Sequence, residues 1–99
     1  MKTGIELITA ERQEQLTKHG RTIESDVILN QQAQLSFAAA LLCCPTPDQY
    51  SHPENNYACP VGWNRLIWDK MRVKSYKDRL IIAGALIAAE IDRLNKVGN

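Results

Sequence analysis

The chain has 99 residues, with 12 Lys and Arg against 11 Asp and Glu and a formal charge of +1. That is enough for one hydrophobic core and too little for two, so residues 1–99 read as a single domain. The near-neutral balance also lacks the basic excess that general binding to a nucleic-acid backbone needs. The charge is nevertheless uneven. Residues 1–64 carry four Lys and Arg against seven Asp and Glu, while residues 65–79 carry Arg65, Lys70, Arg72, Lys74, Lys77 and Arg79 against Asp69 and Asp78. Glu6, Glu11 and Arg12 interrupt any apolar run near the N-terminus, so no signal peptide is expected. The apolar run 81–89 is shorter than the roughly 20 residues that span a bilayer. A soluble, cytoplasmic chain with no membrane partner is expected. Cys43, Cys44 and Cys59 are odd in number and favour reduced thiols over a disulfide framework.

The first helix is expected over about residues 4–19. Thr3 and Glu6 have the spacing of a capping box, in which the hydroxyl and the carboxylate each satisfy an orphan backbone N–H. Ile5, Ile8, Arg12, Leu16 and His19 fall on one face, and Gly20 is a natural stop. Residues 21–30 read as a connector, with Val27, Ile28 and Leu29 tucked inward. A second helix is expected over about 31–44 with Asn30 as its cap. Its inner face is Leu35, Ala38, Ala39 and Leu42 at the i, i+3, i+4, i+7 spacing, widened by Phe37 and Leu41, and Pro45 and Pro47 end it. Residues 45–62 form a long polar loop with four prolines, which Tyr50, Tyr57 and Cys59 would pin to the body. Loops of that length are usually functional or disordered. A short helix follows over about 64–71, with Trp63, Ile67 and Met71 on its inner side.

The last helix, about 75–96, is the most informative stretch. Ser75 and Asp78 form a second capping box. Between Arg79 and Glu90 stand ten apolar or small residues without a charge. A surface helix normally keeps one polar face, so this helix should be covered on more than one side. Leu80, Gly84, Ile87, Ile91 and Leu94 form a near-heptad seam, and Gly84, Ala85, Ala88 and Ala89 allow close approach of another helix. The expected architecture is all-α: a small bundle of three main helices plus one short helix, assembling into a homo-oligomer through the 75–96 helix.

Four constellations bear on chemistry. Glu11, Glu14, Glu90 and Asp92 could together hold Mg²⁺, as in the all-helical nucleotide pyrophosphatases of the MazG type, which the chain faintly resembles. Glu90 and Asp92, however, are two residues apart and diverge by about 200° around a helix. Cys43, Cys44, His52 and Cys59 are zinc-type ligands without a Cys-x-x-Cys pair. Residues 63–79 interleave Trp63, Trp68 and Tyr76 with cations, a composition suited to stacking on a base and meeting phosphate. It equally suits aromatic anchors in a core beside a solvated cationic face. Arg12 lies on the apolar face of the first helix and needs a carboxylate; Glu90 is the natural partner, and an inward arginine that reads a ligand is the alternative.

The segments Gly4-Ile5-Glu6-Leu7-Ile8, Glu11-Arg12-Gln13, Gln15 and His19-Gly20-Arg21-Thr22, with the closing run from Ala83 to Leu94, resemble a group of small phage and prophage proteins. These open with "GIELI..ER..Q" and close with "AGALIAAEI.RL". Many carry "GWT..HDD.H…GELA.AA" between. Here Arg21, Ser25, Val27 and Gln34 stand where that pattern has Trp, His, the second Asp and Glu, leaving Asp26. The resemblance names no reaction and implies a viral setting, in the cytoplasm of a host. Taken with the 63–79 segment, it suggests a non-catalytic protein that binds a nucleotide-like small molecule without a cofactor. Such a protein would act as a sponge for a signal made by a host defence system. Arg12, Arg21, Trp63, Trp68, Lys74 and Arg79 are the expected contacts. The alternatives are a divergent MazG-like hydrolase using Glu11, Glu14, Glu90 and Asp92, and an interaction module that meets a host protein.

Overall fold

The computed structural model describes residues 1–45 and 59–98. Among them the chain forms five helices and no strand: α1 (Gly4–Thr17), α2 (Ile23–Leu29), α3 (Gln34–Leu42), α4 (Arg65–Arg72) and α5 (Tyr76–Lys96). The all-α class expected from the sequence is observed. None of these helices is long and apolar enough to cross a membrane.

The helix starts follow their side-chain caps. Thr3 accepts from the Glu6 amide and Glu6 accepts from the Thr3 amide, the full reciprocal box. Asn64 accepts from the amides of Leu66 and Ile67, and Ser75 accepts from the Asp78 amide at 3.2 Å. Each bond satisfies a donor that the first helical turn leaves without an intrahelical partner. α1 ends at Thr17, two residues earlier than expected, and Gly20 takes a positive φ of 63° as the chain reverses. The Arg21 amide then returns to the Gln15 carbonyl at 3.0 Å.

Several expectations are corrected. Residues 21–30 are not merely a connector, because α2 forms there behind a Thr22 cap whose hydroxyl accepts from the Ser25 amide. α2 also faces the other way round from its hydropathy. Asp26 and Asn30 are buried, while Ile28 and Leu29 are 69% and 67% exposed. Polar pairing, described below, wins over apolar burial in this short helix. Asn30 accordingly caps the end of α2 rather than the start of α3. α3 begins three residues late, after Ala33 in the left-handed conformation (φ 60°), with no side-chain cap. Gln34 serves this corner instead, its Oε1 accepting from the Gln32 amide and its Nε2 donating to the carbonyls of Leu29 and Val61.

The core unites Leu35, Ala38, Ala39 and Leu42 of α3, as the periodicity predicted, with Trp68 and Met71 of α4 and Ile82, Ala83, Leu86 and Ala89 of α5. Phe37 does not widen it; that ring is exposed. α4 is rotated from the expected setting, with Trp68 buried and Ile67 exposed. α5 is the spine, against which α1, α2, α3 and α4 all pack. At Gly84 a Cβ would lie 2.5 Å from Ile8 Cδ1, so the missing side chain is what lets α1 approach. The predicted seam is divided: Gly84 lies against α1 and Leu94 is half-buried, while the rest of it stays open. Leu80, Ile87 and Ile91 are 38%, 47% and 53% exposed in the single chain.

Candidate ligand-binding cleft

The turn after α1 and the start of α4 face each other across two adjoining clefts. The larger, about 690 Å³, is lined by Leu7, Glu11 and Glu14 of α1, His19 and Arg21 of the turn, Lys70 and Met71 of α4, Lys74, and Asp78 and Ile81 of α5, among others. The smaller, about 330 Å³, is lined by Arg21, Ser25, Asp26, Asn30, Gly62, Trp63 and Asn64, among others. His19, Arg21 and Ile67 belong to both walls. Volumes of this order suit small-molecule sites.

Arg21 stands where the two clefts meet. Its guanidinium carbon lies 5.9 Å from the centre of the Trp63 ring, within cation–π range. Burial lowers its pKa, and the charges of Glu11 and Asp26 oppose that shift; an arginine remains protonated throughout. The Trp63 ring meets the Trp68 ring edge-on, with centroids 6.0 Å apart and planes at 76°. Trp63 is therefore held in place by its neighbour while itself lining the smaller cleft.

Behind this wall lies a buried polar network. The Trp63 indole N–H donates to Asn30 Oδ1 at 2.7 Å, and Asn30 Nδ2 donates to Asp26 Oδ1 at 2.8 Å. Arg12 is buried, donating to Asp92 Oδ2 at 3.3 Å and to the Arg21 carbonyl at 3.4 Å. The expected Arg12–Glu90 pair is thus replaced by Arg12–Asp92. Glu90 belongs instead to Arg93, with Nε to Oε1 at 2.6 Å. Among the described residues, three buried atoms carry no hydrogen bond: Arg12 Nε, Gln15 Oε1 and Asp26 Oδ2. Desolvation raises the pKa of Asp26, against the Asn30 hydrogen bond and the charges of Arg12 and Arg21, and the nearby Glu90 adds to the rise.

The structure separates the residues that sequence patterning grouped. Arg21, Trp63 and Lys74 line the clefts. Arg12 lies behind them, engaged with Asp92. Trp68 is 0% exposed within the core. Arg79 is buried against the end of α3, donating to the carbonyls of Leu42, Cys44, Pro45 and Lys74. Neither Trp68 nor Arg79 lines either cleft. Lys70, His19, Asp26 and Asn30 are cleft residues that the reading missed. Asp26 and Asn30 sit four apart, as helix neighbours do, a spacing that carries meaning only where residues 23–29 are helical.

The four carboxylates weighed as a Mg²⁺ set are split. Glu11 accepts from Gln15, Glu14 lies 3.7 Å from His19, Glu90 pairs with Arg93, and Asp92 pairs with Arg12. Among the described residues no three His, Cys, Asp or Glu side chains converge as a metal site. Of the cysteine–histidine set, Cys44 donates to the Ala40 carbonyl and Cys59 to the Trp63 carbonyl. His52 lies outside the described residues, as do Pro47, Tyr50 and Tyr57. No family model, no curated protein and no solved structure matches the chain.

Proposed function

We propose that the protein binds a small phosphorylated molecule carrying a planar ring, of nucleotide type, and retains it without turning it over. The observation that carries this reading is the placement of Arg21 over Trp63 where the two clefts join. A ring in the smaller cleft meets the Trp63 face. A phosphate at the junction meets the Arg21 guanidinium, with Lys70 and Lys74 on the wall of the larger cleft. The cations Arg21, Lys70 and Lys74 share that wall with Glu11, Glu14 and Asp78. Such a balance favours a monophosphate or a phosphodiester over a triphosphate, whose extra charge would meet the carboxylates. With the phage-type opening and closing helices, retention without turnover amounts to sequestering a nucleotide-derived signal in a host.

A second copy of the chain is proposed as partner through α5. The supporting observation is the uncovered stripe of Leu80, Ile87 and Ile91, spaced as one face of a coiled-coil-like seam. Covering it would complete the burial that the apolar character of this helix calls for.

Calorimetric titration with nucleoside monophosphates and cyclic dinucleotides tests the binding reading. Binding below about 10 µM, or roughly −7 kcal/mol, is expected for at least one, weakened ten-fold or more by Arg21→Gln and by Trp63→Ala. Absence of binding across the panel overturns the reading. Mg²⁺-dependent pyrophosphate release from a nucleoside triphosphate would replace it with hydrolysis.

A further inference from the structure

We infer that His19 is the second cation on the ligand's phosphate, and that the site takes up a proton as it fills. The inference rests on the nucleotide reading above and adds a binding residue to it. Arg21, His19 and Ile67 line both clefts. Ile67 is apolar, so the polar groups shared by the two walls are the Arg21 guanidinium and the His19 imidazole. A phosphate held at the junction lies between them.

The His19 ring is open to such a ligand. Its side chain is 51% exposed, and its Nε2 lies 3.7 Å from Glu14 Oε1, beyond hydrogen-bond reach. That carboxylate favours the charged ring without tying it up. Charge balance gives the proton its weight. The wall of the larger cleft sets Arg21, Lys70 and Lys74 against Glu11, Glu14 and Asp78, three cations to three carboxylates. A proton on His19 breaks the tie in favour of an anion and offsets Glu14, the nearest opposing charge. Histidine is the side chain whose ordinary titration falls between pH 5 and 8, whereas ordinary carboxylates and lysines keep their charge from pH 6 to 8. From α2 the smaller cleft adds Asp26, whose carboxyl is pushed up by burial. Asp26 is therefore the rival proton acceptor that the test has to separate.

The probes are adenosine 3′,5′-cyclic monophosphate and cyclic di-adenosine monophosphate, phosphodiesters whose phosphate charge is constant over this range. A histidine that gains an anionic neighbour rises by about one to two pKa units. Between pH 8 and pH 6 that amounts to an affinity gain of about five- to twenty-fold. Calorimetric titration of wild-type protein at the two pH values is expected to show this gain. His19→Gln is expected to reduce it to less than about two-fold. Adenosine 5′-monophosphate serves where only a monoester binds. Its own second proton titrates in the same range, so the difference between wild type and His19→Gln isolates the ring. The wild-type comparison needs no mutation, and equal wild-type affinities for a diester at pH 6 and pH 8 overturn the role of His19 while nucleotide binding stands. A gain that persists in His19→Gln overturns it too and assigns the proton to another group, Asp26 first. No binding of any of the three nucleotides at either pH overturns both readings.

Discussion

Gly84→Ala tests the approach of α1 to α5, on which the cleft wall depends. In the interior of a helix, alanine is favoured over glycine by about 1 kcal/mol. Against that gain, the new Cβ would lie 2.5 Å from Ile8 Cδ1, 2.9 Å from Cγ1 and 3.3 Å from Cγ2. Rotating Cδ1 alone clears only the first of these, so the whole Ile8 side chain has to retreat. Overpacking of this kind costs about 1–3 kcal/mol. The expected net effect is a destabilisation of about 1 kcal/mol, which in a domain of this size lowers Tm by roughly 4–8 °C. In an Ile8→Ala background the same three atoms are gone, and Gly84→Ala should stabilise by the full ~1 kcal/mol. Urea unfolding followed by circular dichroism on the four proteins of this cycle should give a coupling of about 2 kcal/mol. If Gly84→Ala stabilises both backgrounds equally, Ile8 does not pack on Gly84 and the α1–α5 contact is wrong.

Arg79→Met should cost about 2–4 kcal/mol, since it leaves the buried carbonyls at the end of α3 without their cationic donor; a loss within 0.5 kcal/mol in urea unfolding would contradict that role. Ile87→Glu with Ile91→Glu should hold the chain monomeric in light scattering, with far-ultraviolet circular dichroism unchanged, because both positions are open in the single chain. Unfolding of the monomer on that change would place the stripe in its own core. For Asp26, whose folded pKa is raised, the folded state holds its proton more tightly than the unfolded chain. Its contribution to stability is therefore fullest below about pH 4 and is lost as pH rises through the folded value. Asp26→Asn removes this titration, so its stability relative to wild type should climb from about pH 4 upward. A pH-independent difference would mean that Asp26 is not desolvated.

The parts of the fold legible in the sequence are those where one physical signal dominates. Thr3, Asn64 and Ser75 start helices because a short polar side chain there meets otherwise unsatisfied amides, and the spacing of Leu35, Ala38, Ala39 and Leu42 has one helical solution. α2 was hidden because its inward residues are polar. Hydropathy points to Ile28 and Leu29, whereas the buried pair is Asp26 and Asn30, and Asn30 in turn is held by Trp63, which is distant in sequence. The cleft was half legible for a related reason. Arg21, Trp63 and Lys74 stand out as cations and aromatics in any reading. Trp68 and Arg79 are the same residue types a few positions away, and only the rotation of α4 and the end of α3 decide that one fills the core and the other binds carbonyls. The Arg12 partner is likewise a matter of helix rotation, since Glu90 and Asp92 are equally near in sequence and lie on different sides of α5.

The inverted orientation of α2 has a consequence for local stability. A helix docked by apolar area holds through many weak contacts, but α2, seven residues long, is fastened through Asp26, Asn30 and the Gln34–Leu29 bond. Hydrogen bonds of this kind are directional and are exchanged for water once the geometry slips. α2 should therefore open at a lower free energy than the α3–α5 core, and its amides should exchange hydrogen well before those of α5. Asp26 and Asn30 are part of the cleft wall as well as of that fastening, so a ligand seated there would slow exchange across α2 first.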